Sequence, residues 1–100
     1  MTDRSVEQAA EEFAEGAVNG DMATTLRLTT PDGLASLADA TGFGSPWFKY
    51  LSYKVLTPSP DVDDYLVEIR YETDLGPRRM RYCFRNIDAM WKVVAVERLD

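Results

Sequence analysis

Apolar and polar residues follow two different periods along this chain. Val6, Ala9, Ala10, Phe13 and Ala17 recur at helical spacing, with Glu7, Glu11, Glu12 and Glu15 on the solvent side. Ser5 followed three residues later by Gln8 forms a capping box, which satisfies the free N–H groups at a helix start. Asn19-Gly20 supplies a left-handed stop. Asp21 caps a second, short helix carrying Met22, Leu26 and Leu28. Thr30-Pro31 opens a third, because proline suits the first helical position, and Leu34, Leu37 and Ala38 line its inner face. Gly42-Phe43-Gly44-Ser45-Pro46 then breaks the chain.

From Trp47 onward the period falls to two. The pattern predicts strands over 48–56, 65–73, 79–85 and 90–98, joined by the turn-forming stretches 57–61, 74–77 and 86–89. Four-residue loops at 74–77 and 86–89 set Tyr71 opposite Met80 and Phe84 opposite Trp91, and Val55 pairs with Tyr65. Each hairpin then places its large apolar residues on one face, and a one-residue slip would invert any strand. The expected fold is α+β: a single domain over residues 1–100, with three N-terminal helices packed on one face of a four-stranded, curved antiparallel meander. Tyr53, Tyr65, Tyr71, Tyr82 and Trp91 belong to the inner face. The outer face carries Tyr50, Ser52, Lys54, Leu66, Glu68, Arg70, Glu72, Arg79, Arg81, Cys83, Arg85, Met90, Lys92, Val94 and Val96, with Arg70 opposite Arg81.

Composition narrows the chemistry. The chain has 100 residues, no histidine and one cysteine, and its formal net charge is -6. The commonest general base and metal ligand is therefore missing, and neither an internal disulfide nor a zinc site of several thiolates can form. No metal or other cofactor is expected. No run of 18 or more apolar residues is present, and the first residues lack a signal-peptide layout, so a cytoplasmic protein without a membrane span is expected. Residues 1–50 hold 8 acids and 3 bases, a net of -5, whereas residues 51–100 hold 9 acids and 8 bases, a net of -1. Half of those later bases fall within Arg78–Arg85. That octet alternates base and aromatic, but alternation sends Met80, Tyr82 and Phe84 inward, away from any base stack. With net negative charge overall, no nucleic-acid partner is expected.

Three short helices followed by a curved antiparallel sheet resembles the nuclear transport factor 2-like superfamily. The resemblance rests on residues 13–28 with their Asn19-Gly20-Asp21 turn, on Thr29-Thr30-Pro31-Asp32-Gly33-Leu34, and on Met90-Trp91-Lys92-Val93-Val94. It implies a cystatin-like α+β cone of the ketosteroid-isomerase and polyketide-cyclase kind. The third helix here follows the second directly, without the extra hairpin of the family's enzymes, which implies a shallower mouth. Those enzymes place an inward aspartate, or a histidine–aspartate pair, on the sheet. No inward strand position holds a carboxylate in the register above, so no catalytic residue carries over.

The inner-face aromatics Tyr53, Tyr65, Tyr71, Tyr82 and Trp91 have two readings. They line a small apolar pocket with hydroxyl anchors, or they are core residues whose hydroxyls reach water or backbone carbonyls. A domain this small has little space to spare, which favours the core reading. Asp21, Asp32 and Asp39 read as caps and surface charges. Arg81 and Arg85 flank Cys83, an arrangement that lowers a thiol pKa, yet no histidine or second cysteine stands by to use it. The expected function is a small, non-catalytic homodimeric binding or assembly module, associating through outer-face Leu66, Arg70, Arg81, Met90, Val94 and Val96. A shallow pocket for a hydrophobic small molecule accompanies it. The alternative is a polyketide-cyclase- or isomerase-like enzyme acting on a hydrophobic small molecule through tyrosines and one aspartate.

Overall fold

A computed structural model describes residues 5–41 and 49–99. The expected break at 42–46, and the expected strand start at Trp47 and Phe48, lie outside the described residues. Helix α1 spans Val6–Asn19, α2 Met22–Arg27 and α3 Pro31–Thr41, followed by β1 Tyr50–Val55, β2 Ser59–Asp61, β3 Asp64–Thr73, β4 Gly76–Ile87 and β5 Met90–Arg98. The α+β class with its N-terminal helices holds. The sheet of the described residues has five strands, not four.

Local chemistry sets the helix ends. The Gln8 N–H donates to Ser5 Oγ at 3.1 Å and the Ser5 N–H to Gln8 Oε1 at 3.3 Å, which completes the capping box. Gly20 at φ 71° ends α1, and the N–H groups of Gly20 and Asp21 return to the carbonyls of Ala17 and Gly16. Only glycine adopts that left-handed φ without steric cost. Asp21 takes the Thr24 N–H on Oδ1 and the Thr24 hydroxyl on Oδ2, starting α2 within one turn. An Arg27–Glu12 ion pair ties α2 back to α1.

In the sheet β3 runs beside β4, and β4 beside β5. On the far side of β3, β1 and β2 pair end to end. Strand β2 is the source of one correction. Ser59–Asp61 turns back on Val62-Asp63 to occupy Tyr65 and Leu66, so β1 is displaced along β3 and Val55 meets Ile69 instead of Tyr65. Two tighter turns give another. Thr73 pairs with Gly76 and Ile87 with Met90, so both hairpins close with two residues rather than four. Asp88 and Ala89 both have positive φ, the combination whose twist matches that of flanking strands. Tyr71 therefore faces Arg78, Phe84 faces Val93, and Arg70 faces Arg79 rather than Arg81. These displacements are even-numbered, so the inner and outer faces of β3 and β4 stay as expected.

Two bulges change the faces elsewhere. Leu51 is the extra residue of β1, which moves Tyr50 onto the inner face against Tyr71 and leaves Leu51 56% exposed. Val94 is the extra residue of β5, between the Phe84–Val93 and Cys83–Ala95 pairs. Beyond it Val96 pairs with Tyr82 and packs against the core, so Val96 is not an outer-face residue. Phe13, Leu28, Val67, Ile69, Tyr71, Tyr82, Phe84 and Val93 form the buried centre between sheet and helices.

The free edge of β5 is closed without a further strand. Val93 donates its N–H to Leu28 O and accepts from the Thr30 N–H, while the Ser36 hydroxyl lies 2.7 Å from Val96 N and 2.9 Å from Val96 O. This brings α3 against the β5 backbone, where a Cβ on Gly33 would stand 2.1 Å from Val93 O. Glycine is required there by space alone.

Candidate functional site

Between α1, α2 and the concave face lies a cavity of ≈ 220 Å³. Phe13, Gly16 and Ala17 of α1 line it with Met22 and Thr25 of α2, Leu37 of α3, and Tyr50 and Tyr82 of the sheet. Gly16 lets α2 lie close, since a Cβ there would stand 3.1 Å from Thr24 Cγ2, and the small Ala17 leaves space beside it. Its walls are mainly apolar, with polar groups from Asp21, Thr25, Tyr50 and Tyr82. The Tyr82 hydroxyl lies 3.0 Å from that of Tyr71, and both residues are about 1% exposed. Phe13 stands edge-on to Tyr82 at 4.9 Å between ring centroids, and Tyr50 tilts against Tyr71 at 4.6 Å.

Two hydroxyls carry two protons, and the bond between them uses one. Neither tyrosine has a second acceptor among the described residues. Burial pushes both phenols well above the ordinary tyrosine pKa, so the pair stays fully protonated and remains a donor. Asp21 is the carboxylate at the cavity wall. Hydrogen bonds from the Thr24 hydroxyl and N–H hold its pKa low, so it is an ionised helix cap with both oxygens engaged. The wall thus offers a hydrogen-bond donor and a committed carboxylate.

The five expected pocket residues separate into groups. Tyr82 lines the cavity and Tyr71 supports it from behind. Tyr53 is half-buried, and Glu11 of α1 beside it holds its phenol above the ordinary tyrosine pKa. Tyr65 and Trp91 stack edge to face at 5.5 Å elsewhere on the inner face. Trp91 borders a smaller crevice of ≈ 170 Å³ with Ala9, Leu28 and Met90. Tyr50 and the α2 residues are site residues that strand alternation alone does not reveal. The small pair Gly16-Ala17 facing an aromatic strand was the available signal.

On the outer face, ion pairs knit the strands. Asp64 takes Arg85, Arg81 pairs with Glu97, and Glu68 Oε2 accepts from Arg70 Nε at 2.9 Å and Arg79 Nε at 3.2 Å. The Arg70 guanidinium, with Arg79, keeps the Glu68 carboxyl below the usual carboxylate range, and Arg85 does the same for Asp64. Cys83 departs from expectation. Desolvation, together with its 3.5 Å bond to Asp64 Oδ2, pushes the thiol up to about 11, outweighing the nearby Arg85. Its flanking arginines do not activate it.

No group of three or more metal-ligating side chains occurs among the described residues, and none of their helices is long and apolar enough to cross a membrane. Comparison of the chain with known protein families, with curated proteins and with solved structures finds no match.

Proposed function

We propose that this protein is a small binding module of the nuclear transport factor 2-like kind, whose ligand is a compact apolar molecule with one hydrogen-bond acceptor. The observation that carries this reading is the apolar cavity of ≈ 220 Å³ with a buried tyrosine pair holding one proton unassigned among the described residues. A protein cavity of about 150 Å³ holds a benzene ring. The space here accommodates a ring with a few further atoms. A carbonyl or ether oxygen on that ligand takes the remaining tyrosine proton. The engagement of Asp21 as a cap supports holding a molecule over transforming it.

The test compares acetophenone with ethylbenzene, which have similar shapes and differ in an acceptor oxygen, by NMR titration. Both bind the wild type, and acetophenone binds about tenfold tighter, as one hydrogen bond provides. The advantage disappears in Tyr71→Phe/Tyr82→Phe, and Ala17→Phe loses both ligands. Absence of binding to the wild type, or undiminished binding to Ala17→Phe, overturns the reading.

The outer face favours self-association as a second role. Register sets Asp64 of β3 opposite Arg85 of β4 and Glu68 opposite Arg81, with Leu66 opposite Cys83 between them. A two-fold axis parallel to these strands would place the acids of one copy on the bases of the other over residues 64–68. It would also bring Arg70 of one copy onto Arg79 of the other, so this association and an open Arg70–Arg79 row exclude each other. With Val96 turned inward, Leu66 is the residue to test. Sedimentation velocity should show a wild-type dimer and a Leu66→Glu monomer, and a wild type monomeric at high micromolar concentration removes this role.

A further inference from the structure

Three cations stand in one row across the outer face. Lys54 of β1 pairs with Arg70 of β3, and Arg70 pairs with Arg79 of β4. Directly opposed like charges on a sheet repel, and Cβ atoms in such pairs lie only about 5 Å apart. Among the described residues a single carboxylate, Glu68, serves the row, and it engages both arginines through one oxygen at their Nε atoms. Lys54 and the terminal nitrogens of Arg70 and Arg79 have no partner among the described residues. Arg70 is 54% and Arg79 49% exposed, so these donors face solvent. Together with Arg78, they border a groove of ≈ 370 Å³, with Glu72 and Pro77 along the next row. Counting Glu68 and Glu72 against Lys54, Arg70 and Arg79 leaves a local surplus of one positive charge on this face of a chain of net -6.

We infer that this row is an anion site for a ligand with two or more adjacent phosphoryl groups. The row spans two strand spacings, about 10 Å, which is too long for one phosphate to bridge. A diphosphate reaches all three strands. Guanidinium groups with Nε occupied still offer paired donors along one edge, the geometry that suits phosphoryl oxygens. Tyr53 and Tyr71 also border the groove, but Tyr71 is buried and Tyr53 half-buried, so the row provides no open stacking platform for a nucleic-acid strand. The site is separate from the cavity and does not depend on it.

Isothermal titration of the full chain with inorganic pyrophosphate at low salt tests the inference. Binding is expected, weakened at least tenfold by Arg70→Gln/Arg79→Gln and severalfold by Lys54→Gln, and lost progressively as salt rises. Arg81→Gln/Arg85→Gln, which removes the same charge from the neighbouring rows, should leave the affinity within twofold of wild type. The inference is overturned if the wild type binds no pyrophosphate, or if this control weakens binding as much as the row variant. It is also overturned if an oligoglutamate peptide binds more tightly than pyrophosphate, which would make the row a docking site for acidic chains. Circular dichroism confirms that each variant is folded, as expected for exposed positions.

Discussion

Tyr71 and Tyr82 meet hydroxyl to hydroxyl at 3.0 Å although they are not cross-strand partners. Register sets Tyr71 opposite Arg78 and Tyr82 opposite Val67, four residues apart along the strands. That offset is about 13 Å, close to the combined reach of two phenol side chains. Each ring therefore leans along the sheet toward the other, over the Ile69–Met80 pair between them. The pair is a small bridge laid on the concave face, and its Tyr82 end borders the cavity.

This bridge makes stability depend on alkaline pH. Both phenols have folded pKa values above the ordinary value near 10, because burial disfavours the phenolate. The folded state then binds more protons than the unfolded state above that pH, so stability is complete below pH 10 and falls as pH rises beyond it. Each tyrosine contributes a slope of about 1.4 kcal/mol per pH unit. Ultraviolet titration should show two of the five tyrosines ionising only with unfolding. Smooth ionisation of all five in a folded protein would contradict the burial.

Removing one hydroxyl should cost more than removing both. Tyr82→Phe leaves the Tyr71 hydroxyl buried without a partner, a loss of about 1–3 kcal/mol, whereas Tyr71→Phe/Tyr82→Phe leaves an apolar contact of the same shape. Urea unfolding of the two single variants and the double variant gives the coupling directly. Additive losses would show that the two hydroxyls are not coupled.

Two glycine substitutions should separate space from backbone conformation. Gly33→Ala drives a methyl group into the Val93 carbonyl and must displace α3 from β5, at a cost of at least about 2 kcal/mol, or roughly 10 °C in melting temperature. Gly20→Ala meets nothing within 4 Å and loses only its left-handed φ, which costs about 1 kcal/mol. Thermal unfolding by circular dichroism ranks them. Equal melting temperatures would mean that α3 does not press on β5 as described.

Cys83 should be a slow nucleophile. With its thiol pushed up to about 11, the thiolate fraction at pH 8 falls roughly a hundredfold below that of a free cysteine. Iodoacetamide labelling of the folded protein, compared with labelling in urea, measures this. Rates matching free cysteine in the folded state would reverse the assignment.

The helix ends were readable from the chain because each depends on residues within a turn of one another: Ser5 with Gln8, Gly20 with Gly16 and Ala17, Asp21 with Thr24. The inner faces of β3 and β4 were readable because a two-residue error in turn length preserves side-chain parity. Leu51 and Val94 were not. A bulge adds one residue on one strand only, and what decides it is the fit of the partner strand and of the helices above. Tyr50 and Val96 consequently exchanged faces relative to the alternation. The cavity depended on the first of these, which brings Tyr50 to its wall, together with α2 lying over Gly16, a contact between segments whose own sequences do not specify it. Strand β2 was hidden because Pro60 and Asp61 read as turn residues, and they form an edge strand only where β3 extends past β1.

The sheet has two unlike margins. On the β5 side, Leu28, Thr30 and the Ser36 hydroxyl occupy the hydrogen-bonding groups of Val93 and Val96 that a neighbouring strand would seek. On the opposite side β1 and β2 lie end to end, and Pro60 contributes no N–H to that margin. Stacking of sheets into a fibril needs two open margins on every copy, one to receive and one to offer. The described residues present one at most, so strand-by-strand growth through them stops after a single pairing.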